Sequence, residues 1–201
     1  MTNKQKRDLG MLYDANYSGY EEGLGKELIE CKDKCFEYNS LKPSLLEEKQ
    51  KIIRQLFGKT KGYFMIQSPF WCDYGYNIEI GENFYANHNC VILDCAKVTF
   101  GDNVFIAPDC GFYTAGHPID YIRRNKGYEY AYPIHVGNNV WIGGGTKVMP
   151  GVTIGNNVVI GAGSIVTKDI PDNVVAVGNP CRVLREITEK DFNKKYEYEK
   201  E

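Results

Sequence analysis

The sequence predicts a mainly β fold in which short strands wind into a parallel β-helix, with a helical segment before it and one loop extruded from it. A valine or isoleucine recurs every six residues along the second half of the chain, at Val136, Ile142, Val148, Ile154, Ile160 and Val166. An earlier run has the same period with one slip of two residues, at Ile80, Ala86, Ile92, Phe100, Ile106 and Phe112. A fixed six-residue period indicates a solenoid, in which three hexapeptides close one triangular coil.

Glycine and asparagine mark fixed positions within the repeat. Glycine follows the periodic apolar residue at Gly81, Gly101, Gly137, Gly143, Gly155 and Gly161, and asparagine stands two residues later at Asn83, Asn103, Asn139 and Asn157. Both residue types tolerate the positive φ of tight corners, so we predict that they turn the coil. A β-sandwich would instead need longer alternating strands.

The first 60 residues predict a helical segment. Apolar residues recur at spacings of three and four within 25–41, and a second stripe follows Pro43 and ends at Gly58. Ser44 and Glu47 predict a capping box for that second helix, and a shorter helix is expected to end near Tyr13. We therefore divide the chain into a helical segment (1–60), a β-helix (61–188) with an extruded loop (113–135), and a charged tail (189–201).

Composition excludes several classes of function. The 201 residues carry 24 Lys and Arg against 26 Asp and Glu, a net charge of −2, which argues against nucleic-acid or anionic-membrane partners. The start of the chain lacks the apolar core of a secretory signal, and no apolar stretch approaches the roughly 20 residues of a membrane helix. Its seven cysteines form no C-x-x-C pair, which favours reduced thiols in a cytoplasmic protein. Cys31 and Cys35, four apart on one helix face, are interpreted as packed thiols.

The interruption of the repeat contains a candidate catalytic residue. The stretch YTAGHPIDYIRRNKGYEYAYPIH spans 113–135, and its tyrosines argue for an ordered loop. Long ordered loops in compact domains are usually functional. An imidazole at His117 could take a proton from a hydroxyl nucleophile, whereas the structural alternative is that His117 only caps a turn before Pro118.

The motifs together resemble one enzyme family. The repeats, DYGYNIEIGENFYANHN, the loop motif GHPID and the stretch IGNNVVIGAGSIVTKDIPDNVVAVGNPCRVLREI are similar to the maltose/galactoside O-acetyltransferase family, over about residues 5–188. DYGYN and the helical CKDKCFEYN resemble the maltose branch more closely. The resemblance implies a left-handed coil, a homotrimer with active sites between subunits, acetyl-CoA as co-substrate, a sugar hydroxyl as acceptor, and no metal.

The resemblance also implies roles for individual residues. His117 matches the catalytic histidine. Asp73, Asn87 and Asp94 match acceptor-site positions, although the Asp94 contact could belong to the position of Cys95, because the galactoside branch has two adjacent acids there. The matches to coenzyme A contacts are Gly144, Ala162, Thr167, Lys168, Arg182 and Arg185.

Three alternatives remain open at this stage. The chain could acetylate a different acceptor, such as a galactoside or an antibiotic. Its three histidines, His88, His117 and His135, could hold zinc as in γ-class carbonic anhydrases, but that class has two histidines five residues apart and here the nearest are 18 apart. The solenoid could also be a non-catalytic scaffold.

Overall fold

The computed structural model describes residues 1–15 and 23–194, and shows the predicted β-helix. Residues 195–201 of the predicted tail lie outside this range. The helices are α1 (Asn3–Asp8), α2 (Gly23–Ser40), α3 (Leu46–Leu56), α4 (Tyr121–Arg124) and α5 (Glu189–Phe192). No helix among the described residues is long and apolar enough to cross a membrane.

The strands stack into three faces of a prism. The first face contains β2 (Lys59–Thr60), β5 (Ile78–Ile80), β8 (Val98–Phe100), β13 (Ile134–Val136) and β16 (Thr153–Ile154). The second contains β3 (Phe64–Ile66), β6 (Phe84–Ala86), β9 (Val104–Ile106), β14 (Val140–Ile142), β17 (Val158–Ile160), β19 (Val174–Val177) and β20 (Arg182–Glu186). The third contains β4 (Phe70–Cys72), β7 (Cys90–Leu93), β10 (Gly111–Tyr113), β15 (Lys147–Val148) and β18 (Ile165–Val166). All pairings within the faces are parallel except β19 with β20, so each coil bonds to the one before it.

The periodic residues fill the interior of the prism. All twelve predicted positions are buried, with at most 4% of their surface exposed. Side chains one coil apart stack, and the rings of Phe84, Phe100 and Phe112 follow each other at centroid distances of 5.1 and 5.0 Å. Burial of this continuous apolar column explains why the six-residue period must be kept.

Asparagine and glycine have different roles at the corners. The predicted asparagines do adopt left-handed backbone, with φ between 52° and 58°. The same prediction for the six glycines is wrong, since none of them has positive φ. Instead the next coil leaves no room for a side chain: a Cβ on Gly81 would lie 2.3 Å from the carbonyl oxygen of Gly101.

Two predictions for the helical segment are also wrong. Helix α3 begins at Leu46 and not beside Ser44, and no side chain caps its first turn. Ser44 is therefore one residue too far from the helix for the predicted capping box with Glu47. The first helix ends at Asp8, because Gly10 at φ +67° turns the chain into an extended segment, β1 (Tyr13–Asp14).

Candidate functional site

The extruded loop is an ordered β-hairpin at the edge between the third and first faces. It comprises β11 (Ala115–Gly116), α4 and β12 (Tyr128–Ala131), with β11 antiparallel to β12. Strand β1 pairs with the other side of β12, so the N-terminal segment braces the loop. At the tip, the carboxylate of Asp120 accepts a hydrogen bond from the backbone N–H of Arg123 and caps α4.

His117 follows β11 directly, and both of its ring nitrogens lie beside polar groups of β12. Its Nδ1 lies 3.0 Å from the carbonyl oxygen of Tyr128. A carbonyl only accepts, so this contact places the proton on Nδ1 and leaves the lone pair on Nε2. The side chain is 50% exposed, and its Nε2 lies 3.6 Å from a carboxylate oxygen of Glu129. The arrangement suits a general base that takes a proton from a group bound at the exposed surface of the loop.

Two residues of β12, Tyr128 and Glu129, orient His117 and carry no signal of this role in the sequence. Glu129 is held in turn by the buried hydroxyl of Tyr13, which donates to its other oxygen at 2.7 Å. Tyr128 acts through its backbone carbonyl, which any residue would supply. No repeat or spacing marks either position, because their proximity to His117 comes from the hairpin register, in which Gly116 pairs with Tyr130.

Asp94 is buried and its carboxylate is bonded to the backbone. One oxygen accepts the N–H groups of Asp73 and Tyr74 at 3.0 and 2.9 Å, and the other accepts that of Asn77 at 3.3 Å. Burial outweighs these donors and raises the pKa of Asp94 to about 6. In this structure Asp94 shapes the segment that carries Asp73, and its carboxylate is closed off from solvent.

The raised pKa of Asp94 makes stability depend on pH. A carboxyl group whose pKa is higher in the folded state favours folding below its unfolded value, and this contribution is lost as pH rises through about 6. We expect the free energy of unfolding of the wild type, relative to Asp94→Asn, to fall by about 2–3 kcal/mol between pH 4 and pH 7. Urea unfolding of both proteins at several pH values measures this difference, and a constant difference would contradict it.

Asp73 lies beside Asp94 and is more accessible. Its side chain is 16% exposed, and one carboxylate oxygen lies 3.3 Å from the ammonium of Lys32 on α2. The thiol of Cys95 lies 3.7 Å from its second oxygen. Burial raises the pKa of Asp73, against the opposing effect of Lys32. Asp73 and Cys95 thus adjoin each other on the same prism edge as the His117 loop.

Other predicted residues lie on a different edge, between the second and third faces. The backbone N–H of Asn87 donates to Ile106, and the following coils continue this ladder through Ala107 and Gly143. Asn87 is not the left-handed corner residue; Asn89 is, with φ 61°. Gly144 and Ala162 lie one coil apart on this edge, linked by the N–H of Gly163, which donates to the carbonyl of Gly144 at 2.8 Å.

The other residues predicted to contact coenzyme A lie near the end of the prism. Thr167 and Lys168 are exposed on the edge between the third and first faces, and Arg182 is exposed on β20. Arg185 is exposed as well, but its guanidinium makes a two-pronged ion pair with Asp191 at 2.8 and 2.7 Å. The structure therefore leaves Lys168 and Arg182 more available for an anionic ligand than Arg185.

Within one chain these residues do not converge on one pocket. His117 and Asp73 lie on one edge, whereas Asn87, Gly144 and Ala162 lie on another, and the third face separates them. The three histidines also lie apart: His135 is on β13, where its Nδ1 meets the hydroxyl of Thr99 at 2.7 Å, and His88 is on the edge of Asn87.

Comparison with known proteins identifies the family. A model of the bacterial transferase hexapeptide (six repeats) matches residues 133–168, and one of the maltose acetyltransferase hexapeptide capping motif matches 8–62. A galactoside O-acetyltransferase of Escherichia coli K12 is 48% identical over 170 residues, which are 85% of this chain and 84% of the relative. The chain belongs to the maltose/galactoside O-acetyltransferase family. The resemblance inferred from the motifs is thereby confirmed.

Solved structures agree with this assignment. The crystal structure of a maltose O-acetyltransferase from Clostridium difficile 630 has a TM-score of 0.90 at 51% identity, covering 94% of this chain and 98% of its own. A galactoside acetyltransferase in complex with coenzyme A has a TM-score of 0.91 at 44% identity, covering 99% of this chain and 96% of its own. This family member is an acetyltransferase, which removes the carbonic anhydrase and scaffold alternatives.

Proposed function

We propose that this enzyme transfers the acetyl group of acetyl-CoA to a hydroxyl of a sugar such as maltose or glucose. The observation that carries the proposal is the placement of His117, whose Nδ1 is bound to the Tyr128 carbonyl while Nε2 lies 3.6 Å from Glu129 on a half-exposed side chain. An unassisted sugar hydroxyl is a poor nucleophile at neutral pH, so a correctly oriented base is the group that the reaction most needs.

The reaction proceeds by direct attack on the thioester. Nε2 of His117 takes the hydroxyl proton as the sugar oxygen bonds to the acetyl carbon. The tetrahedral intermediate then expels the sulfur of coenzyme A, and the imidazolium returns the proton to that sulfur. Glu129, 3.6 Å from Nε2, stabilises the transient positive charge. The backbone N–H of Gly144 is assigned to the developing oxyanion.

Coenzyme A lies along the edge that contains Gly144 and Ala162 in this proposal. The absence of a large side chain at either position lets the thioester arm approach the backbone closely. Thr167 and Lys168, on the edge of His117, and Arg182 on β20 bind the polar end of the cofactor. The ammonium and guanidinium groups suit its phosphates, and the hydroxyl of Thr167 can donate a hydrogen bond. Arg185 contributes to the same end by fixing the segment after β20 through Asp191.

The separation of the two edges supports a homotrimer with shared sites. Neighbouring prisms packed around a threefold axis bring the edge that contains His117 from one subunit to the edge that contains Asn87 and Gly144 in the next. Hexapeptide-repeat acetyltransferases are oligomers. The seven buried free cysteines favour the cytoplasm, where thiols stay reduced and acetyl-CoA is present.

Asp73 and Asn87 are proposed to bind hydroxyls of the acceptor, with Asp94 holding the segment of Asp73 in place. A charged Asp73 beside Lys32 can accept hydrogen bonds from a polyhydroxylated ligand, whereas a mostly apolar antibiotic would leave it unpaired. This favours a sugar over an antibiotic acceptor.

The test is a thiol-release assay with acetyl-CoA against maltose, glucose, galactosides and antibiotics. We expect acceptor-dependent release of coenzyme A with maltose or glucose, and an O-acetylated sugar by mass spectrometry. Release of coenzyme A only with galactosides or only with antibiotics would show that the proposed acceptor is wrong. No release with any acceptor would contradict the proposed function.

A further inference from the structure

Three buried cysteines converge between the helical segment and the first coil. The sequence placed Cys31 and Cys35 on one face of α2, and the fold adds Cys72 at the end of β4. The sulfur of Cys72 lies 3.5 Å from that of Cys31 and 3.7 Å from that of Cys35, and all three lie within 4.8 Å of one another. Their residues are at most 3% exposed. The proposed acetyl transfer uses none of them.

We propose that Cys31, Cys35 and Cys72 form a binding site for a soft divalent cation, of which Zn²⁺ is the common cellular example. Thiolates are the preferred ligands of such ions. Sulfurs bound tetrahedrally at the usual zinc–sulfur length of about 2.3 Å lie about 3.8 Å apart, close to the separations in this cluster. Little rearrangement is needed to bind the ion.

Metal binding displaces the protons of the cluster, because thiolates and not thiols are the ligands. For three thiols the exchange is M²⁺ + 3 RSH, which gives [M(SR)₃]⁻ + 3 H⁺. The affinity of the cluster for the ion should therefore rise with pH.

A cleft beside the cluster offers an entry path for the ion. Cys31 lines a cleft of about 590 Å³ between α2, α3 and Tyr74. Four acidic residues and one lysine line the same cleft, namely Glu27, Glu30, Asp33, Glu37 and Lys34. The negative potential of this opening attracts cations, and a water from the cleft can complete the tetrahedron.

The site would join the helical segment to the solenoid. Two ligands belong to α2 and one ends β4, directly before Asp73. Because a metal binds the folded chain and not the separated ligands, its occupancy should raise the unfolding temperature. The chemistry of acetyl transfer does not involve this ion, so loss of enzymatic activity and loss of metal binding are independent outcomes.

The test uses the full chain, reduced and freed of metal with a chelator, and Cd²⁺ as the probe. We expect one equivalent to bind, with a thiolate-to-metal charge-transfer band, release of protons and a higher Tm. Cys72→Ser should weaken binding by more than the about 10–100-fold that loss of an outer-shell partner causes. Cys181→Ala, which removes a buried thiol at the other end of the prism, should keep the band.

Circular dichroism checks that Cys72→Ser is folded, and Cys31→Ser gives a second variant if it is not. Absence of the band in the wild type, or an equal band in the variants that lack a cluster thiol, would overturn the proposal. Formation of a Cys31–Cys72 disulfide by the metal-free protein, with no binding of Cd²⁺ after reduction, would also overturn it.

Discussion

Replacing His117 by alanine is expected to lower kcat for acetyl transfer about 10²–10⁴-fold, the usual contribution of a general base. The Tyr128 carbonyl and the hairpin orient the imidazole and its Nε2 lone pair. Alanine removes this base and leaves the other proposed acceptor contacts in place. KM for acetyl-CoA should change little, because His117 is not one of the proposed cofactor contacts. Release of coenzyme A at saturating acetyl-CoA and maltose measures the effect.

His135→Ala is the matched control for this substitution. His135 is exposed on the first face, where it meets Thr99, and it takes no part in the proposed mechanism. Its variant should keep wild-type kcat. Equal activity of His117→Ala and wild type would exclude His117 as the base, whatever the acceptor proves to be.

Gly81→Ala is expected to be strongly destabilising. The added Cβ would lie 2.3 Å from the carbonyl oxygen of Gly101 and 2.5 Å from its carbonyl carbon, so two coils would have to separate. Overpacking of this kind costs typically 1–3 kcal/mol, and contact with backbone on a rigid ladder places this site at about 3 kcal/mol or more. The shift in the urea midpoint relative to wild type measures the loss.

Gly144→Ala controls for the general effect of replacing a glycine. A Cβ there has the carbonyl oxygen of Pro108 as its nearest neighbour, at 3.3 Å, and the position has no positive φ. Its midpoint should move much less. Equal shifts for the two variants would mean that coil spacing does not explain the glycine at position 81.

The sequence was sufficient to predict the architecture, because each six-residue repeat forms one strand and one corner of the β-helix. Every periodic apolar residue from Ile80 to Val166 is buried in one column, so the spacing along the chain predicts how the coils stack. The glycines show the limit of that inference. Their spacing is visible in the sequence, but whether a glycine provides φ > 0 or close approach depends on the next coil, which is distant in the sequence.

The candidate site was less predictable, because its geometry arises where the repeat fails. His117 stands out as a histidine in an interruption, but its orientation depends on Tyr128 and Glu129, which a hairpin register brings to it. Asp94 shows the opposite case. The resemblance predicts an acceptor contact at Asp94 or at the position of Cys95, and the fold encloses Asp94 among three backbone N–H groups. Cys72 joins Cys31 only through packing of α2 on β4.

The shared active site can be tested directly with mixed trimers. Ala162→Trp blocks the proposed cofactor edge at an exposed position, and His117→Ala removes the base from the other edge. Each variant alone should be nearly inactive. If every site takes His117 from one subunit and the edge of Ala162 from the next, random trimers refolded from a 1:1 mixture should regain roughly a quarter of the wild-type sites.

The rate of coenzyme A release by the refolded mixture is the decisive measurement. Recovery to roughly a quarter of the wild-type rate is the result that this account predicts. A mixture no more active than the two variants alone would show that one chain supplies both edges to its own site. It would contradict an active site in which His117 of one subunit acts beside the cofactor edge of its neighbour.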